Sequence, residues 1–261
     1  MKRIVFYSGG ALSWAAAMRT IEQHGRDNIT LLFTDTSMED DDLYRFLAVS
    51  EDQLAIPIVR LRDGRTPWDV YRQKRMIGNT RMDPCSEVLK RKPAHAWLKA
   101  NAPGATLVFG VDFTEMHRID GLRRRYGEMG HDVEAPMCEA PYMTKAAVLA
   151  WMKREGLEPP RLYAMGFSHN NCGGFCCRAG QGHFARLLQE LPEVYAEHEA
   201  REQELREHLG KDVAILRDRR GGRTRPMTLA TLRRRIEKSK PIADDEIGGC
   251  ACFVQSDLFA E

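Results

Sequence analysis

The chain has 261 residues with 39 Lys and Arg against 37 Asp and Glu, a net charge of +2, so it can bury one sizeable core and any nucleic-acid affinity must come from local clusters. Hydrophobic content of 43% and charged content of 29% are those of an ordinary globular protein, and no apolar run is long enough to cross a bilayer, so no membrane partner is expected. Lys2-Arg3 lead into a strand-like run rather than a signal peptide; a cytoplasmic location is expected, where seven cysteines point to metal, catalysis or burial instead of disulfides.

In chain order, RIVFYS (3–8) reads as a strand, and the turn Ser8-Gly9-Gly10 leads into a helical pattern at 12–24. Glycines at such a turn let an anion approach the backbone N–H groups that a helix start leaves unpaired. ITLLFTD (29–35) and PIVRL (57–61) read as further strands, with a helix at 40–54 between them. Glu39 to Asp42 most simply supply that helix's acidic first turn. A helical pattern at 86–100 precedes a fourth strand-like run, ATLVFGVD (105–112). Alternating strands and helices imply an α/β fold, a parallel sheet flanked by helices, with ligands beyond the carboxyl ends of the strands. Ser8-Gly9-Gly10, Asp35-Thr36 and the stretch from Gly110 to Glu115 then share one edge. After about residue 140 the patterns become helical, at 144–155, 181–189 and 192–209, around a glycine- and cysteine-rich loop. A core at 1–140 and a helical, cysteine-rich region at 141–261 are therefore expected. RDRRGGRTRP (217–226) reads as a mobile basic loop before a helix at 228–238 and the tail GGCACFVQSDLFAE.

Five segments in order carry a resemblance. YSGGALS, LLFTDTSMED, PCSEVLKRKPAHAWL, FGVDFTEMHR and LYAMGFSHNNCGGFCCRAG resemble the PP-loop adenine nucleotide α-hydrolase-like superfamily, and within it the phosphoadenosine phosphosulfate (PAPS) reductase-like proteins of phages and mobile elements. An ordered run of motifs is more specific than a lone loop, and no Gly-Lys-Ser/Thr follows to make a Walker loop. The resemblance implies an enzyme that binds an adenine nucleotide, ATP or a sulfonucleotide, and acts in sulfur chemistry as an oxidoreductase or sulfur transferase. Ser8, Gly9, Gly10 and Ser13 would receive its phosphate or sulfate. Asp35 and Thr36 would hydrogen-bond adenine or ribose, or simply cap a strand end. Lys90 would meet the anionic end, the alternative being an exposed helix lysine. Gly110, Glu115, His117 and Arg118 complete the expected site, with Glu115, His117 and Cys85 as catalytic candidates and His117 able to act as acid or base.

Two departures shape this reading. Leu12 stands where ATP pyrophosphatases of the superfamily carry Asp, and an apolar side chain cannot hold magnesium, which leaves Asp35, Glu39 and Glu115 as the carboxylates for it. Asp112 stands where the reductases carry an arginine for the sulfonucleotide, and a carboxylate there repels a second phosphate. The cysteines suggest zinc or a [4Fe-4S] cluster, with burial or unligated reactivity as the alternative. Cys172, Cys176, Cys250 and Cys252 are expected to share one metal, with Cys85 able to replace one of them. In the competing arrangement Cys85, Cys172, Cys176 and Cys177 hold the metal and the tail cysteines are redox nucleophiles. Cys138 is expected to be packed. Basic clusters at 123–125, 217–225 and 233–235 are candidate nucleic-acid contacts; the glycine-rich loop 217–225 is the better one, while 233–235 reads as a solvated helix face. The runner-up function is an ATP pyrophosphatase that adenylates and thiolates tRNA or DNA; a third is a non-catalytic nucleotide-binding module.

Overall fold

The computed structural model describes residues 1–79 and 81–243. The elements run β1 (Arg3–Phe6), α1 (Ala11–His24), β2 (Ile29–Asp35), α2 (Asp41–Leu54), β3 (Ile58–Arg62), α3 (Pro67–Lys74) and a wide helical turn, Ser86–Arg91, that continues into α4 (Lys92–Asn101). β4 (Thr106–Val108) leads through a 3-10 turn, Phe113–Arg118, into α5 (Ile119–Gly127), and β5 (Val133–Glu134) follows. The chain then forms α6 (Lys145–Arg154), the single turn α7 (Arg161–Ala164), α8 (Gln181–Glu190) and α9 (Pro192–Leu209). β6 (Leu216–Asp218), β7 (Arg225–Met227) and α10 (Leu229–Glu237) end the described chain's regular structure.

Five strands form one parallel sheet in the order β3-β2-β1-β4-β5. Strands buried on both faces explain why these runs read as continuous apolar stretches. Val5, Leu31 and Phe33 pack with α1, α2 and α6, whereas Ile4, Phe6, Leu32 and Leu107 face α4 and α5. Local chemistry starts the helices: Asp40 accepts the Asp42 N–H at 2.9 Å, Thr66 the Asp69 N–H at 3.3 Å and Thr144 the Ala147 N–H at 3.2 Å. Each satisfies a donor that a helix start leaves unpaired.

The α/β class and the parallel sheet agree with the sequence reading. Beyond that reading lie β5, α3, α5 and α7. The expected helix at 86–100 is divided: the Lys92 N–H bonds to the Glu87 carbonyl five residues back, where Pro93 supplies no N–H of its own. α6 lies past the expected boundary at 140 yet contributes Val148 and Met152 to the cluster around α1. A second cluster gathers Trp68 and Tyr71 of α3 with α8, α9, the β6–β7 hairpin and α10. The expected mobile basic loop is thus an antiparallel hairpin, with Leu216 opposite Met227 and Asp218 opposite Arg225. Its apolar ends are buried, and that anchors it. Among the described residues no helix is long and apolar enough to cross a membrane.

Candidate functional site

The sheet order reverses direction at β1, whose neighbours β2 and β4 lead away to opposite sides, and such a switch point opens a crevice at the strands' carboxyl ends. A cleft lies there. Ser8, Gly10 and Ser13 line one wall, Gly110, Glu115 and Arg118 another, and Lys90, Lys145, Tyr163 and His169 complete it. Phe6, Phe33 and Phe109 supply an apolar floor, with Phe6 and Phe109 stacked at 4.5 Å.

The loop after β1 is held by its own hydroxyls. Ser13 Oγ accepts the Gly10 N–H at 3.2 Å and donates to the Gly10 carbonyl at 2.9 Å, while the Ser8 hydroxyl donates to Ser13 Oγ at 3.3 Å. The Ala11 N–H, at the start of α1, donates to Tyr163 Oη at 3.0 Å. Gly9 does not line the cleft. Its φ of +72° and the Leu43 side chain, 2.2 Å from where a Cβ would stand, show that this glycine serves the turn and its packing on α2.

The other expected residues divide according to local geometry. Thr34 lines the cleft and Asp35, at the end of β2, does not; Asp35 accepts from the Ser37 N–H at 2.7 Å and the Tyr44 hydroxyl at 3.0 Å. Thr36 lies in a neighbouring pocket and donates to Glu39 Oε1 at 2.7 Å. In the 3-10 turn residues three apart share a face, which brings Glu115 and Arg118 together in an ion pair of 2.7 Å. His117 is exposed and outside the cleft, so the structure does not bring it together with Glu115 and Arg118 there. Asp112, which departs from the arginine of the resembled reductases, accepts from the Thr114 N–H at 2.9 Å and hydroxyl at 2.7 Å. It caps the turn that carries Glu115.

Lys90 lines both this cleft and a second pocket, although its side chain belongs to a residue only 4% exposed. That second pocket holds Cys85, Cys172, Cys176 and Cys177. Cys85 and Cys177 Sγ stand 3.9 Å apart, and the Tyr71 hydroxyl is 3.3 Å from Cys85 Sγ. The hydrogen bond with Cys85, then burial, pushes the Cys177 thiol well above its ordinary pKa. Glu39 ties this pocket to the end of β2, since it also accepts the Cys172 N–H. Burial raises the Glu39 carboxyl, and Lys90 opposes that rise. Cys138 is buried away from these thiols and its Sγ donates to the Val111 carbonyl at 3.3 Å; burial lifts its pKa to about 11. Cys250 and Cys252, and with them the expected shared metal of Cys172, Cys176, Cys250 and Cys252, lie outside the described residues.

A tetrahedral thiolate site with bonds of ~2.3 Å places its sulfurs roughly 3.8 Å apart, so the Cys85 to Cys177 spacing suits two ligands of one metal. Among the described residues no three His, Cys, Asp or Glu side chains are already close enough together to hold an ion. For magnesium, Glu115 is the one carboxylate among the described cleft-lining residues, and Arg118 occupies it.

The four thiols of the second pocket are those of the competing metal arrangement, while sequence reasoning missed Lys145, Tyr163, Ser168, His169 and Asn171 in the cleft. The quoted segment around SHNN was a usable signal for three of them. Lys145, whose Nζ donates to the Ser168 carbonyl at 2.6 Å, had none. His169 is 6% exposed; burial, then His183, Lys90 and Lys145, push its imidazole down to about 3. Its Nδ1 accepts the Asn171 N–H at 3.4 Å, so the neutral ring carries its proton on Nε2. No family model matches this chain, and no curated protein matches it.

Proposed function

We propose that the cleft binds an adenine nucleotide and that the protein is a PAPS-reductase-like enzyme acting in sulfur chemistry. The observation that carries this reading is the position of Lys90, a cation shared between a phosphate-sized loop at the sheet's switch point and a pocket of four cysteines. Ser8, Ser13 and the N–H groups at the start of α1 receive anionic oxygens, Lys90, Arg118 and Lys145 neutralise them, and the Phe6, Phe33 and Phe109 surface accepts the flat base. Neutral His169 offers a donor without further charge. Cys85, Cys172, Cys176 and Cys177 are the residues that would hold zinc or a [4Fe-4S] cluster, because thiolates are the donor both prefer. When bound by these four thiolates, such a centre would carry net negative charge, which the Lys90 ammonium would offset, and in the iron–sulfur case it would supply electron transfer. The ATP pyrophosphatase reading is second: it needs magnesium, and among the described cleft-lining residues the one carboxylate is Glu115, already paired with Arg118.

Calorimetry with ATP, AMP and PAPS tests the site. We expect one nucleotide per chain, with Ser8→Ala and Lys90→Ala each weakening it at least about tenfold, since a charge-assisted hydrogen bond contributes on the order of 1.5–3 kcal/mol. Folding of both variants is checked by circular dichroism. Absence of binding by any of the three nucleotides, or unchanged affinity in both folded variants, overturns the assignment. Binding without turnover of ATP or PAPS in an anaerobically prepared, metal-replete protein leaves the non-catalytic module as the better description.

A further inference from the structure

The chain's charge is segregated. Residues 217–240 carry ten arginines and lysines against Asp218 and Glu237, an excess of eight positive charges where the whole chain has only +2. Three of these cations are used by the fold. Asp218 accepts from Arg220 at 3.0 Å and from Arg235 at 2.6 Å, which joins the hairpin tip to α10. Arg220 Nη1 also donates to the Pro241 carbonyl at 2.9 Å, holding the stretch after α10 beside the same tip. Arg233 pairs with Glu199 at 2.6 Å. Of the other seven, Arg217 is half-buried, and Arg219, Arg223, Arg225, Arg234, Lys238 and Lys240 are exposed and pair with no acid among the described residues. Arg220, Arg223 and Arg225 surround an open hollow with Asp218.

We propose that the β6–β7 hairpin and the C-terminal end of α10 form a docking surface for the phosphate backbone of a nucleic-acid duplex. Unpaired like charges repel one another, and a closely spaced row of phosphates relieves that repulsion while releasing condensed counterions. Arginine is the side chain whose planar fork matches phosphate oxygens. A two-stranded ribbon also has the width that a major groove admits. The composition argues against other polyanions. No Phe, Tyr or Trp lies between residues 211 and 243, so the surface lacks the stacking platforms that single strands use. None of the exposed large apolar residues belongs to this stretch, so nothing there would insert into an anionic membrane. The surface stands independently of what occupies the cleft, and its test uses no nucleotide ligand.

The test is fluorescence anisotropy of the full-length protein with labelled DNA and RNA duplexes of about two helical turns and with the matching single strands, in a salt series; phosphatidylserine vesicles are assayed by sedimentation. We expect the duplexes to bind several-fold tighter than the single strands and vesicles, with affinity falling steeply as salt rises. The double variant R223Q/R225Q should lose about tenfold in duplex affinity and lower the salt slope by about two. R123Q/R124Q, which removes the same charge from α5, should change affinity less than about twofold. Equal losses in the two double variants, no loss in R223Q/R225Q, or tighter binding to single strands or vesicles overturns the proposal. A preference between the DNA and RNA duplexes identifies the source of the backbone.

Discussion

Gly110 sits where the end of β4 meets the first turn of α1, and a Cβ there would stand 2.6 Å from the Leu12 carbonyl and 2.7 Å from the Ser13 nitrogen. Both neighbours are backbone, so neither can swing aside. Gly110→Ala should therefore push the helix start off the strand end, costing about 1–3 kcal/mol of stability and more than tenfold in nucleotide affinity; thermal unfolding and calorimetry read the two effects. A different residue, Glu202 on α9, governs a pH response. Its carboxylate accepts the Ile215 N–H at 2.9 Å and the Leu229 N–H at 2.6 Å, yet burial outweighs these bonds and lifts its pKa from 4.5 to about 7. The folded chain then holds a proton that the unfolded chain gives up, so this group's contribution is present below pH 4.5 and is lost as pH rises through 7. Buried His169 and His198, both lowered to about 3, act in the opposite direction as pH falls below 6.5. Comparing Glu202→Gln with wild type cancels the histidine terms. Denaturant unfolding should show the variant gaining on the wild type by on the order of 3 kcal/mol between pH 4.5 and pH 8, and a constant difference would refute the role given to Glu202.

At the scale of elements, the wide turn Ser86–Arg91 determines how the two pockets meet. A regular helix through Pro93 would drive its ring into the carbonyl four residues back, and the wider turn avoids this clash. Cys85 and Lys90, at opposite ends of that turn, thereby face the thiol pocket together. The loop after α7 brings the partner thiols. Its Cys172 has φ +55° and its Gly173 and Gly174 have φ +59° and +82°, left-handed conformations that two glycines make accessible at low cost. Gly173 also passes close to the Met38 carbonyl, 3.1 Å from a Cβ position. We expect Cys85→Ser and Cys177→Ser each to abolish tight metal binding, measured by metal and sulfide analysis after anaerobic purification. Truncation after residue 243 should leave the metal content unchanged. Metal lost on truncation but kept in both serine variants would return the site to the tail cysteines.

For the whole molecule, the cleft joins two packed bodies of side chains. Its floor comes from the sheet, Tyr163 comes from α7, and Ser168, His169 and Asn171 come from the loop after α7 that leads into the second cluster. A ligand bound there stabilises both at once, so nucleotide at a hundred times its Kd should add about 2.7 kcal/mol and raise one cooperative unfolding transition by roughly 5–10 °C. A scan in which only an early, partial transition moves would show that the clusters unfold separately. The sequence alone determined the parallel sheet, because strands covered on both faces must be apolar throughout, and it located the loop after β1, because a strand turning into a helix needs its glycines. It also placed Lys90, Glu115, Arg118 and Cys85 among the candidates. Only the tertiary structure decided which of these meet. β5 has two residues and is defined by pairing with β4, so no periodicity announces it. His117 and Arg118 are adjacent in sequence, but one faces solvent and the other the cleft because the turn between them has three residues per cycle. Lys145 and His169 reach the cleft from more than 130 residues beyond Ser8, and Cys177 meets Cys85 across 92 residues. Such contacts are made by packing two clusters against one sheet edge, and local sequence pattern carries no record of distances set that way.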